Sequence, residues 1–241
     1  PEGLCIPFKL TLGNLIEATE LGADTLLMPA GYGICRLGYY AKTQEQILYD
    51  LGYHNVEVIR LGVSENKLFG FLKIIKRLSN NAPWLKIISA FRFGLSKLNA
   101  LDRIERTVQK VRAVEMIKGT ANHLYARAID AIDQADDSNT LKKVQTGYID
   151  QLNQVAKDYQ ARPLVIGIIG EFYVVLEPFS NFDVESELGK LGVEVRRTTF
   201  MSEWTKFSFF LNPLRINEKD RIHKAALPYL QRDIGGDGWE S

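Results

Sequence analysis

The chain has 241 residues, 46% of them apolar and 24% charged, with a formal net charge of +1. That apolar supply suffices for one large domain or two small ones. The near-neutral balance excludes a protein drawn by its overall field to nucleic acid or to an anionic membrane. The longest apolar run, Pro163 to Leu176, is broken by Glu171 and falls short of the roughly 20 residues a membrane-crossing helix needs, so no transmembrane helix is expected. Pro1-Glu2-Gly3-Leu4 show no basic region leading into an apolar one, so no signal peptide is read there and the chain is expected to begin inside a longer protein. Two cysteines are too few for a disulfide scaffold; a reducing cytoplasm is expected, with the thiols left for metal binding, catalysis or burial.

From Leu12 the apolar residues Leu12, Leu15, Ile16 and Leu21 recur at helical spacing, with Pro7 near the start and Gly22 just past the end. Asp24 to Met28 is too short an apolar run for a helix and is closed by Pro29 and Gly31, which predicts a buried strand. Leu37, Tyr40, Ile47, Leu48 and Leu51 then mark a second helical face ended by Gly52, and Val56, Val58 and Ile59 a second strand. Helix, strand, helix, strand with short connections is the order of a parallel βα unit, in which ligands gather beyond the carboxyl ends of the strands.

From 64 to 160 long helical periodicities take over. One helix is predicted over Leu68 to Leu78, a sustained stripe over Phe91 to Val111 that Gly119 stops, another through Leu124, Ala128 and Ala131, a cap at Asp136-Asp137-Ser138, and a last stripe from Leu141 to Tyr159. The basic residues of this stretch, among them Lys76, Arg77, Lys86, Arg92, Arg103 and Arg106, with Arg112 at its end, read as a solvated face. Leu164 to Ile169 reads as a strand buried on both faces. Asn181 is expected to cap a helix through Val184, Leu188 and Leu191, followed by a strand at Val193 to Val195, and Ile222, Ala226 and Leu230 suggest one more helix. The fold class expected is α/β: two incomplete Rossmann-like parallel-sheet units, 1–63 with both cysteines and 163–241 truncated, joined by a helical insertion over 64–162.

Each cysteine stands just before a helical pattern, so a strand between the two helices brings both thiols to one edge of a small sheet. A helix start lowers a thiolate's pKa and favours a negatively charged group. Arg36 adds positive charge beside Cys35, and Gly31 and Gly33 permit close backbone approach. Spacing alone carries little: thirty positions from Cys5 to Cys35 match neither zinc nor ferredoxin patterns, and cysteine is among the most buried residue types. Gly31-Tyr32-Gly33 lacks the third glycine of a dinucleotide fingerprint, Arg36 standing in its place, and there is no P-loop, a glycine-rich run ending in Gly-Lys-Ser or Gly-Lys-Thr. Glu171, at the end of the later strand, is either a carboxylate at the site edge or a cap. His54, His123 and His223 form no metal-binding spacing.

Cys5-Ile6-Pro7-Phe8-Lys9, Gly33-Ile34-Cys35-Arg36-Leu37-Gly38-Tyr39-Tyr40 and, more weakly, Gly170-Glu171-Phe172-Tyr173 resemble the 2-hydroxyacyl-CoA dehydratase and benzoyl-CoA reductase superfamily, and within it the activase-associated branch. The resemblance implies an iron–sulfur cluster, 4Fe-4S in type, ligated by Cys5 and Cys35. It also implies low-potential electrons from an ATP-hydrolysing activator, and an acyl-CoA or other small-molecule substrate. Two thiolates do not complete such a cluster, so either further residues or a second copy in a homodimer complete it, or this chain binds none. The competing expectation is a non-catalytic α/β binding domain with structural cysteines.

Overall fold

The computed structural model describes residues 3–29, 36–61 and 68–202. Gly31, Gly33 and Cys35 and the helix expected around Ile222 to Leu230 lie outside them. Over the described residues the chain is mixed α/β, mostly helical, with two short parallel sheets of two strands each. It divides into two compact units between Ala82 and Pro83. Among the described residues no helix is long and apolar enough to cross a membrane.

The first unit follows the order α1 (Ile6–Glu20), β1 (Thr25–Pro29), α2 (Leu37–Asp50), β2 (Glu57–Leu61) and α3 (Leu68–Leu78). Pro7 stands in the first turn of α1, where a missing N–H costs nothing. Strands β1 and β2 pair in parallel, Thr25 opposite Glu57 through Pro29 opposite Leu61, with α2 as the crossover. The passage from helix to strand repeats one turn. Gly22 and Gly52 take φ of 100° and 96°, and the next residues, Ala23 and Tyr53, donate their N–H to the carbonyls of Ala18 and Leu48. Only glycine enters that left-handed position without strain. Phe8, Leu26, Met28, Tyr40, Ala41, Leu48 and Val58 form the core. Of the paired tyrosines, Tyr40 is buried and Tyr39 exposed.

The second unit is built on α4 (Trp84–Val114), against which α5 (Thr120–Asp133) and α6 (Ser138–Gln154) pack. Ile104, Val108 and Val111 of α4, spaced to share a face, meet Ala121, Ala128 and Ile132 of α5 and Leu141 and Leu152 of α6. Two details differ from the sequence reading. The long stripe ends at Val114, and Gly119, at φ 95°, heads α5: the buried Glu115 carboxylate accepts from the N–H of Gly119 and of Ala121, both at 2.7 Å, and so caps the new helix. The last stripe stops at Gln154, because the residues beyond it pair back on the segment after α4 through Met116 to Ala156 and Asp158 to Val114. The expected cap of α6 is Asp137, whose carboxylate accepts from Asn139 and Thr140.

The unit continues through β3 (Val165–Ile168), α7 (Phe172–Leu176), α8 (Pro178–Asn181), α9 (Val184–Lys190) and β4 (Glu194–Arg197). Strands β3 and β4 pair in parallel, Val165 opposite Glu194 through Ile168 opposite Arg197. The strand predicted to be buried on both faces is not: Val165 is exposed and Ile169 is 89% exposed, because β3 has β4 as its single described neighbour. Asn181 closes α8, yet its Oδ1 accepts from Val184 N at 3.3 Å at the start of α9, while Asp183 holds the N-cap position.

Candidate functional site

Of the expected thiol site, the structure describes Cys5 and Arg36. Cys5 is free, half-buried and holds the N-cap position of α1, where no side chain caps the helix; it packs on the edge of the first core. Arg36 is exposed and heads α2, again with no side-chain cap. The two helix starts are held side by side. The Phe8 and Tyr40 rings meet edge to face at 5.1 Å. The fully buried Gln44 of α2 donates through Nε2 to Thr11 Oγ1 at 2.8 Å and to Phe8 O at 3.4 Å in α1. Both helices thus direct their positive dipole ends to one edge of the unit. Among the described residues no group of three or more His, Cys, Asp or Glu side chains is placed to hold a metal ion, so the described donor set is one thiol. Glu171 is engaged as a cap, accepting from Val174 N at 2.8 Å at the start of α7.

The second unit carries a polar cluster that no motif announced. Arg197 at the end of β4 donates through Nη2 to Glu105 of α4 at 2.6 Å and through Nη1 to Glu185 of α9 at 2.7 Å, with 5% of its side chain exposed. Gln109 donates to the other Glu185 oxygen at 2.9 Å, and the Tyr125 hydroxyl of α5 bonds Glu105. The Arg197 and Arg106 guanidiniums lie 4.7 and 3.7 Å from the ring centre of Phe200, an arrangement in which the ring face attracts the cations. Burial pushes Glu105 above its ordinary range and, with the Glu185 charge, outweighs the lowering by Arg197. Burial, together with the Glu105 charge, raises Tyr125 far above the ordinary tyrosine range. Burial opposes the Arg197 charge, but Glu105 and Glu185 outweigh it and raise that group's pKa, so it stays cationic.

Beside this cluster runs a second chain of contacts. Arg112 donates through Nε to Asn122 Oδ1 at 2.7 Å, and Asn122 donates in turn to Ser186 Oγ at 2.7 Å. A cavity of about 260 Å³ opens between these groups and the α7–α8 segment. Asp183, which lines it, and the preceding Phe182 take φ of 51° and 59°, left-handed conformations that are uncommon for residues other than glycine. Arg112, expected on a solvated face, is buried instead. Sequence reasoning missed the cluster although a signal was present. Asp102, Glu105, Gln109 and Arg112 follow one another at helical spacing, a polar seam beside the apolar stripe of α4. Their partners on α9 and β4 are 76 and 92 residues away, and that pairing no local pattern reveals.

Comparison with protein-family models, with curated proteins and with solved structures finds no match to this chain.

Proposed function

We propose that this chain is part of an iron–sulfur protein that accepts low-potential electrons, with Cys5 and Cys35 as cluster ligands and a Rossmann-like sheet as the frame of the first unit. The observation that carries the reading is the side-by-side packing of the starts of α1 and α2 through Phe8, Tyr40 and Gln44. Cys5 immediately precedes the first of these helices, and Cys35 precedes the second by two residues. A pair of helix N-termini stabilises thiolate over thiol. Bound there, a cluster of the 4Fe-4S type would supply one-electron transfer at low potential. With two thiolates against the usual four, the remaining positions fall to other donors or to a second copy of the chain. The electron source in this reading is an ATP-hydrolysing activator, and the acceptor an acyl-CoA or another small molecule.

The test is anaerobic reconstitution with ferrous iron and sulfide, followed by absorption and electron paramagnetic resonance spectra after reduction. A brown protein whose reduced form gives an iron–sulfur resonance supports the reading. A colourless protein with no bound iron contradicts it.

One observation favours a second reading, a non-catalytic α/β binding domain with structural cysteines: Cys5 packs against the apolar core of the first unit. That reading requires Cys5→Ser to lower stability without changing any metal content, which denaturant unfolding and iron analysis of the variant decide together.

A further inference from the structure

Helix α4 carries a second stripe that its core does not use. At 3.6 residues per turn, Ala100, Ile104, Val108 and Val111 share the face packed on α5 and α6. Nearly opposite lie Asp102, Glu105 and Gln109 in the later half of the helix and Trp84, Ile88, Phe91, Leu95 and Leu98 in the earlier half, the apolar five alternately four and three residues apart. The polar half is covered, Glu105 by Arg197 of β4 and Gln109 by Glu185 of α9. The apolar half is not closed to that degree: Trp84, Ile88 and Phe91 are 40%, 53% and 47% exposed, and Leu95 and Leu98 are half-buried. A contiguous apolar stripe left in water marks an interaction surface, and alternating spacings of four and three let another helix settle along it. The described chain arrives, after β4, at the junction of the two halves. Phe200 is buried beside the Arg106 and Arg197 guanidiniums. Met201 and Ser202 have helical backbone, and the Ser202 N–H donates to the buried Asp102 carboxylate at 2.8 Å, a charge that suits the first turn of a helix. The next residues are Glu203-Trp204-Thr205-Lys206-Phe207-Ser208-Phe209-Phe210-Leu211, in which Trp204, Phe207 and Leu211 repeat the spacing of three and four.

We propose that the apolar half of this stripe is the docking surface for the chain's own segment from Trp204 to Leu211, which lies antiparallel to α4 with Trp204, Phe207 and Leu211 seated on Leu98, Leu95 and Phe91. Direction follows from occupancy: toward the end of α4 the face is taken by Arg197 and Glu185, so the segment turns the other way from Asp102. The lengths agree. At 1.5 Å per residue a helical run from Ser202 to Leu211 covers about 14 Å, and α4 from Asp102 back to Phe91 about 16 Å. The segment is tethered at the edge of the stripe by Ser202, which gives it an effective concentration that a separate partner lacks. The proposal is independent of the thiol chemistry and stands or falls without it.

The test places a photoreactive benzoylphenylalanine at Phe91 of the full chain, irradiates the folded protein and maps the linked tryptic peptides by mass spectrometry. The expected product has the mass of one chain on a denaturing gel and joins the peptide holding position 91 to the one that begins at Phe207. Phe207→Asp combined with Leu211→Asp is expected to lower its yield at least tenfold and to speed hydrogen exchange over Trp84 to Leu98, with α5 and α6 unchanged. Phe207→Ser lowers the yield several-fold, so the proposal remains testable if the double variant fails to fold. A product of twice the chain mass, which assigns the stripe to a second copy, overturns it. So do links only to other segments of the chain, no link in the folded protein, or an undiminished yield in a folded variant.

Discussion

In the first unit the described charged groups sit on the outer faces of elements, as with Arg77 paired with Glu57 at 2.8 Å on the surface, and the one buried polar side chain described is the neutral Gln44. In the second unit Asp102, Glu105, Arg112, Glu185 and Arg197 lie among α4, α5, α9 and β4, most of them buried. The two arrangements respond differently to loss of a partner. An exposed ion pair gains little over its hydration, whereas a buried charge deprived of its partner keeps the desolvation cost without the attraction. Among the described residues the first unit is therefore held by an apolar core with one neutral buried amide, Gln44, and the second by an apolar core and a charged one.

The sharpest way to break this contrast is to remove the central cation. Arg197→Ala leaves Glu105 and Glu185 buried together and is expected to cost about 3–5 kcal/mol, measured by denaturant unfolding. Arg77→Ala in the first unit is expected to cost at most about 1 kcal/mol, and equal losses from the two substitutions would remove the distinction. Truncation of the apolar cores should not discriminate: Ile104→Ala and Leu48→Ala, both at essentially fully buried positions, are each expected to cost about 2–5 kcal/mol.

Proton linkage sharpens the comparison further. Burial, reinforced by Glu185, holds Glu105 above its ordinary value of 4.5 despite Arg197. An acid raised in the folded state binds its proton more readily there than in the unfolded chain. Stability from this group is therefore greatest below the ordinary value and declines as pH rises through the raised folded value. Glu105→Gln should flatten that decline in unfolding free energy measured against pH, and an unchanged slope would show that another group causes it. Asp137 runs the other way and more weakly. Its hydrogen bonds to the Thr140 hydroxyl and to the backbone of Thr140 and Asn139 lower its pKa, so its contribution is present above the ordinary aspartate value and is lost as pH falls through the lowered one. Asp137→Ala is the smallest effect expected, faster hydrogen exchange over the first turn of α6 with the rest of the unit unchanged.

Much of the framework was legible from apolar spacing and glycine stops. Strand β1, helix α2 and strand β2 fall within a residue or two of their expected limits because Gly22, Pro29 and Gly52 punctuate them. The end of α4 was not legible. Glu115 ends one helix and caps the next through a carboxylate turned onto Gly119 and Ala121, and a glycine can stand at either terminus. The exposure of β3 was hidden because an apolar run states what a strand can tolerate on its faces and not how many neighbours it has. At the candidate sites, the position of Cys5 at the head of a helix was readable. The Glu105–Arg197–Glu185 cluster was not, since charges on a long helix look like a solvated face until their distant partners are known.

The proposed function rests on two thiols meeting at one edge of the first unit, and the protein has no other cysteines to confuse a test. The most direct measurement is treatment of the reduced, metal-free chain with a short bifunctional thiol reagent that fluoresces only when both ends react, followed by mapping of the joined peptides. Ligands of one cluster, each bound at about the 2.3 Å typical of metal–thiolate bonds, come close enough for rapid intramolecular bridging of Cys5 to Cys35 in the monomer. Two separately blocked thiols with no bridged product would contradict a shared site in a single chain.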